Sequence, residues 1–140
     1  MKFYDIYDFE GVGYEKLFHH QDWRVAILNY IEELEVEHIN YFEAHTLTDE
    51  VFVLLSGKCH MFFIEEKNQV IKDMSSISLE PNKVYRIPKG VYHAHTLSKE
   101  AKLLIVEEEN TCYDNSPRIY LDEADRKLLM NKFKEMCREV

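Results

Sequence analysis

The chain has 140 residues, of which 46% are hydrophobic and 13% aromatic, with only four glycines and three prolines. This length and composition exclude a disordered or low-complexity chain and predict a single folded domain over residues 1–140. The formal net charge of −9 disfavours nucleic acid and anionic membranes as partners, because both would repel the protein surface.

The N-terminus and the cysteines favour a cytoplasmic setting. The first residues, Met1 to Asp5, lack the basic and apolar regions of a secretory signal, and no apolar run approaches the roughly 20 residues that span a bilayer. Cys59, Cys112 and Cys137 are scattered without CxxC spacing, so they suggest neither a disulfide framework nor a zinc knuckle. We therefore expect a cytoplasmic protein with no membrane partner.

Most of the chain has the alternating or continuous apolar pattern that is typical of β-strands. The segments with this pattern are Trp23–Tyr30, Glu35–Phe42, Val51–Leu55, Cys59–Ile64, Val70–Ile71, Ile77–Leu79, Lys83–Ile87 and Leu103–Val106. A hairpin-like turn is predicted at residues 66–69. Many short strands at regular spacing predict an all-β sandwich or barrel.

The end of the chain has a helical pattern instead. Asp122 is a suitable N-cap, and apolar residues then recur at three- and four-residue steps: Leu129, Phe133, Met136, Cys137 and Val140. We predict one amphipathic α-helix over about residues 123–138. It is expected to cover one end or edge of the sheet, with a lid or a partner-binding helix as the alternatives.

Two stretches in the middle of the chain gather imidazoles and carboxylates, the groups that divalent metals prefer. Glu43 and His45 are two residues apart, so in a strand both side chains would leave the same face, and His93 and His95 repeat this arrangement. Glu50 follows shortly after His45 and begins an apolar run. A metal site is the first hypothesis that these residues suggest.

Other interpretations of these residues stay open. His45 and His93 could be neutral, hydrogen-bonded histidines that only assist packing. Asp49 could bind in place of Glu50, because strand parity just after a loop is uncertain. His95 could orient a ligand, move a proton or contact substrate, and it could equally be a polar residue at the mouth of the barrel.

The two stretches resemble the two sequence motifs of the cupin superfamily. The matching residues are His45, Glu50 and Gly57 for the first motif and Pro88, Gly90 and His93 for the second. The resemblance covers about residues 37–106. It implies a double-stranded β-helix, or jelly roll, whose interior binds one metal ion, with the predicted C-terminal α-helix outside the motif region.

Several positions depart from the cupin motifs: Glu37, Glu43, Asn82 and Leu97. The resemblance implies that His45, Glu50 and His93 would be metal ligands. Glu43 stands where the first histidine of the motif usually lies, so it would be either a fourth ligand or the mark of a weakened metal site. The ion would be one divalent Mn, Fe, Zn, Co or Ni.

Two functions from different classes follow. The first is a metal-dependent enzyme that acts on a small polar metabolite, a sugar or an organic acid, by isomerase, lyase or dioxygenase chemistry, with His95 moving protons. The alternative is a non-catalytic module that binds or senses a small molecule and has a degenerate metal site. The fold cannot select between them.

We also expect a homodimer, because the segments Trp23–Tyr30 and Val51–Ile64 carry apolar residues on both faces. The acidic stretches Glu32–Glu33 and Glu107–Glu109 are interpreted as solvated strand ends rather than as cation sites.

Overall fold

The computed structural model describes residues 2–138 and contains two five-stranded antiparallel sheets. The strands are β1 (Tyr14–His20), β2 (Trp23–Asn29), β3 (Tyr41–Glu43), β4 (Glu50–Ser56), β5 (Cys59–Lys67), β6 (Val70–Ser78), β7 (Val84–Ile87), β8 (Tyr92–Leu97), β9 (Lys102–Glu108) and β10 (Arg118–Tyr120). The first sheet has the order β1-β2-β9-β4-β7, and the second has the order β10-β3-β8-β5-β6. The all-β jelly-roll prediction is confirmed.

Inward-facing side chains from the strands of both sheets fill the space between the sheets. The first sheet contributes Ala26, Leu28, Phe52, Leu54, Leu103 and Ile105, and the second contributes Cys59, Met61 and Leu97. These positions alternate with outward ones, as the two-residue period of a strand requires. Each buried leucine or phenylalanine contributes about 1.5–3 kcal/mol relative to an exposed one, so this core holds the two sheets together.

The predicted helix is α1 (Glu123–Arg138), and its bounds agree with the prediction. Asp122 and Asp125 cap its first turn, since each carboxylate accepts the backbone N–H of the other at 2.8 and 3.1 Å. Leu129 and Met136 are buried in a second core on the outer face of the second sheet. The helix therefore packs on the outer face of the second sheet, along its edge strand β6. Val140 lies outside the described residues.

The predicted strand Glu35–Phe42 is largely wrong. A short 3₁₀ helix, Val36–His38, lies within this region and follows another at Glu32–Leu34, and the strand begins only at its end, with β3. Val36 and Ile39 are both buried in the second core. They are three residues apart, so the single-turn period of a 3₁₀ helix directs both to one face, which a strand would not do.

The other differences concern strand ends and edges. The two short segments around residues 70 and 79 form one strand, β6, which pairs with β5 along its length, and the turn between β5 and β6 is confirmed. Neither β1 nor β10 was predicted. Gly57 has a φ of +73°, and a Cβ there would lie 2.5 Å from the backbone of Ala101, so this turn requires glycine. Among the described residues, no helix is long and apolar enough to cross a membrane.

Candidate metal centre

Three buried side chains converge at one end of the space between the sheets. His45 follows β3, Glu50 begins β4 in the opposite sheet, and His93 lies on β8. The Nε2 atoms of His45 and His93 lie 3.2 and 3.0 Å from the same oxygen, Oε1 of Glu50. Within residues 2–138 these three residues offer ligand atoms that all lie within 4.8 Å of one another. The sequence-predicted core of the metal site is therefore brought together.

The hydrogen bonds of the two imidazoles leave their Nε2 atoms available for a cation. His93 Nδ1 lies 3.0 Å from the carbonyl oxygen of Val91, which can only accept, so Nδ1 carries the proton. In the neutral ring, Nε2 then carries a lone pair, which faces a carboxylate oxygen of Glu50. His45 Nδ1 is held by the hydroxyl of Ser116 at 2.8 Å. Facing lone pairs require a proton or a metal ion between them, so this donor set fits a divalent cation.

The acidities of these groups follow from the same contacts. Burial favours the uncharged form of Glu50, but hydrogen bonds from His45 and His93 outweigh it and hold the pKa of this carboxyl well below its usual value. Burial alone would lower the pKa of His45, and the neighbouring Glu50 carboxylate raises it instead. Without a cation, these contacts favour the ionised Glu50 carboxylate and the protonated His45 ring.

Glu50 rather than Asp49 faces the interior. The Asp49 carboxylate is partly exposed and accepts the backbone N–H of Lys89 at 2.9 Å, which fixes the loop that precedes β8. Glu50 is 5% exposed. The alternation of side chains along β4 therefore places the carboxylate of Glu50, and not that of Asp49, in the interior.

Glu43 is not part of the three-residue group. Its Oε2 accepts a hydrogen bond from Nε of Arg118 at 2.9 Å, and its Oε1 lies 3.9 Å from His45 Nε2. The guanidinium of Arg118 stacks over the rings of Tyr41 and Tyr113, at 4.0 and 4.7 Å from their centroids. Glu43 therefore lies beside the site, paired with an arginine.

Glu107 is a buried site residue, so its interpretation as part of a solvated strand end is wrong. It lies on β9 next to Glu50, and Nη2 of Arg24 donates to it at 2.6 Å. Burial and the Glu50 carboxylate raise the pKa of Glu107 to about 8, against the opposing effect of Arg24. Burial likewise raises the pKa of Tyr14, which lines the same cavity, to about 12, and the charge of Glu107 adds to the shift.

His95 shares the face of His93, as its spacing predicts, and lines the same cavity. The residue is partly buried, and both of its ring nitrogens are buried with no hydrogen-bond partner within the described chain. Its ring lies 5.7 Å from that of Phe52. Burial, together with the nearby His93, lowers the pKa of His95 to about 4, so the ring is neutral. Its catalytic role stays a prediction.

The cavity above these residues has a volume of about 270 Å³. Its floor is formed by His45, Glu50, His93 and His95, and its wall includes Tyr14, Glu33, Asn40, Tyr41, Glu43 and Glu107. This volume is slightly below the roughly 300–1,000 Å³ of sites for drug-sized ligands. The cavity therefore has room for a small molecule.

Comparisons with known protein structures identify the fold of this chain. No protein-family model and no curated protein sequence matches the chain. A cupin-2 domain containing protein from Shewanella frigidimarina is 23% identical with a TM-score of 0.52, over 72% of this chain and 85% of that protein. A crystal structure of Fe(II) HppE is 19% identical with a TM-score of 0.52, over 66% of this chain and 47% of that one.

A third structure, a variant of PAC13 from Streptomyces with uridine, is 11% identical with a TM-score of 0.52, over 83% of this chain and 86% of that one. At such identities the similarity concerns the backbone. Together with the two antiparallel sheets and the position of the metal-ligand group, it shows that this chain has the cupin fold.

Proposed function

We propose that this chain is a divalent-metal-dependent enzyme that acts on a small polar metabolite. The observation that carries the proposal is the convergence of two imidazole nitrogens on one buried carboxylate oxygen at the floor of a cavity. A buried constellation of this kind in a cleft is typical of a functional site. Similarity to HppE, whose crystal structures contain Fe(II) or Co(II), supports metal binding.

His45, Glu50 and His93 would hold the ion. Two imidazoles and one carboxylate suit Mn, Fe, Zn, Co or Ni, and this ligand set with open positions is typical of non-haem Fe(II) sites. When bound, such an ion acts as a Lewis acid toward an oxygen of the substrate. Ser116 and the Val91 carbonyl fix the two rings through their Nδ1 atoms, so the ligands are oriented before any ion arrives.

Two further groups would act on the substrate. The Glu107 carboxyl, beside Glu50 and paired with Arg24, can hold or release a proton at its oxygens near neutral pH. His95 would contact and orient the substrate through its free ring nitrogens. The apolar ring of Phe52 packs against both His93 and His95 and limits the access of water to them.

The second candidate function is a module that binds a small molecule without turnover. It is favoured by Glu43, which stands at the position of a motif histidine and is paired with Arg118. In this case the cavity would capture its ligand, and the metal group would only complete the binding site.

We further propose a homodimer formed through the outer face of the first sheet. Apolar residues alternate with the interior set on this face: Val25, Ile27, Val51, Val53, Val84, Leu104 and Val106. Val84 is 72% exposed and Leu55 is 43% exposed. No helix covers this face within the described chain, whereas α1 covers the other sheet. Light scattering should report a dimer at micromolar concentration, and Val53→Lys should give a monomer. A monomeric wild type would reject this proposal.

The experiment that tests the main proposal combines metal content with turnover. Untagged protein is analysed for metals, titrated with Mn, Fe, Zn, Co and Ni after treatment with a chelator, and then assayed against a panel of sugars and keto acids. We expect one ion per chain and turnover that depends on it. An ion without turnover would favour the binding module. Failure of all five metals to bind would reject the metal-dependent enzyme and leave only a binding module with a degenerate metal site.

A further inference from the structure

The wall of the cavity is acidic. Four carboxylates line it, from Glu33, Glu43, Glu50 and Glu107, and no lysine or arginine side chain of residues 2–138 is among the lining groups. A carboxylate accepts hydrogen bonds and repels other anions. These acidic groups therefore offer hydrogen-bond acceptors to a bound ligand.

The two arginines nearest to the cavity stand behind these carboxylates and are already engaged. Arg24 donates to Glu107 at 2.6 Å and to the carbonyl oxygens of Glu109 and Thr111 at 3.0 and 3.2 Å. Arg118 donates to Glu43 and is stacked on two tyrosine rings. Neither guanidinium is placed for the bidentate contact by which arginine recognises a carboxylate or a phosphate.

An independent observation comes from His95, whose two ring nitrogens are buried and unpaired. A neutral imidazole has one donor and one acceptor nitrogen. A hydroxyl group can pair with either nitrogen, because it both donates and accepts. A carboxylate or phosphate oxygen can only accept, so it would leave the acceptor nitrogen of His95 without a partner, and an unpaired buried group is costly.

We infer that the cavity selects an uncharged ligand that carries several hydroxyl groups, such as a sugar or a polyol, over an acid of the same size and shape. This inference rests on the proposed function, since it concerns the ligand of the same site. Hydroxyl hydrogens would be donated to Glu33, Glu43 or Glu107, and one hydroxyl would pair with His95. Away from the bound ion, an anionic substituent would face these acidic side chains, with His38 as the ionisable base among the lining residues outside the metal group and His95.

The test uses the full chain after its metal titration, with matched pairs of probes: glucose and glucuronate, galactose and galacturonate, mannose and mannuronate. Each pair shares a ring and differs by one carboxylate. Binding is measured by calorimetry. We expect at least one neutral sugar to bind, and to bind at least about tenfold more tightly than its uronate, because like charges in a buried site oppose each other strongly.

The variant Glu33→Gln removes one carboxylate from the wall without touching the metal group, and should reduce the preference for the neutral sugar by about threefold. The control Glu135→Gln makes the same change of charge on the exposed side of α1 and should leave the preference unchanged. Tighter binding of a uronate, or metal binding with no neutral sugar bound, would overturn this inference and leave the metal proposal intact. Failure of metal binding would overturn the proposed function, and this inference with it.

Discussion

Each sheet carries a row of side chains that leads from an arginine through a glutamate to a metal ligand, and the two rows lie in different surroundings. In the first sheet Arg24 is paired in register with Glu107, which lies beside Glu50. In the second sheet Arg118 is paired with Glu43, which is in register with His93. Glu50 and His93 thus each have a carboxyl group beside them and an arginine behind that group.

The two rows differ in burial. The side chains of Arg24 and Glu107 are 16% and 5% exposed, whereas those of Arg118 and Glu43 are both 25% exposed. A buried charge that loses its partner is strongly destabilising, and a pair that water can reach contributes little. The first row is therefore expected to be a structural and electrostatic element of the site, and the second row an adjustable wall.

The largest difference in stability between the two rows should appear when the arginine of each row is replaced. Above about pH 8, where Glu107 is ionised, Arg24→Met leaves its buried charge without a cation and should lower the free energy of unfolding by about 3–5 kcal/mol. Arg118→Met is the matched change in the second row and should cost less than about 1 kcal/mol. Urea unfolding of both variants measures the difference. Equal losses would show that the two rows are equivalent, contrary to their burial.

The next effect concerns the residue on which both rows converge. Glu50→Gln keeps the size of the side chain but removes the charge, so metal affinity should fall by at least about 100-fold. Asp49→Asn is the control, since the same change one residue earlier affects the contacts with Lys89 and Arg86, outside the metal group, and should leave metal affinity within about twofold. Titration of chelator-treated protein measures both. Loss of metal in Asp49→Asn would mean that the ligand assignment is wrong.

These rows also show how far the sequence could predict the molecule. The alternation that directs Leu103 and Ile105 inward continues to Glu107, and the alternation of Ala26 and Leu28 extends back to Arg24. Both polar residues could therefore have been assigned to the interior by parity. The acidic composition of residues 107–109 predicts solvent exposure instead, and at Glu107 the alternation of the strand is the better guide.

The residues of the second row are harder to predict from the sequence. The motif spacing identified His45, Glu50 and His93, and the structure brings them together. Arg118 and Ser116 reach the site from a segment more than 70 residues beyond His45, through pairing of β10 with β3. A three-residue strand has too short a pattern to be recognised, and its register depends on tertiary packing.

The pH dependence of stability distinguishes the buried row. In metal-free protein the pKa of Glu107 is about 8, above the roughly 4.3 of an unfolded chain, so the folded state binds this proton more tightly. The stability that this group contributes is complete below about pH 4 and is lost as the pH rises through about 8.

The variant Glu107→Gln has no ionisable group at this position, so it should not lose this stability as the pH rises. The stability of the variant relative to wild type should increase by about 1.4 kcal/mol for each pH unit between these two pKa values and then level off. Urea unfolding at successive pH values measures it, with Glu108→Gln as the neighbouring control. A difference that does not change with pH would show that Glu107 is ionised throughout.

The smallest effect is expected at His95, which stands between the two rows on the cavity floor. Its buried, unpaired nitrogens lower stability in the absence of ligand, because each forgoes the hydrogen bonds it had with water. His95→Met fills a similar volume without polar atoms, so the ligand-free variant should be equally stable or more stable, by up to about 1 kcal/mol. Ligand binding should be weakened at the same time, while metal content stays unchanged. Thermal unfolding, metal analysis and calorimetry with the neutral sugars measure these three properties. A residue that destabilises the empty site and is needed only by the ligand belongs to function, whereas a large drop in the melting temperature of His95→Met, with ligand binding intact, would make His95 a structural histidine.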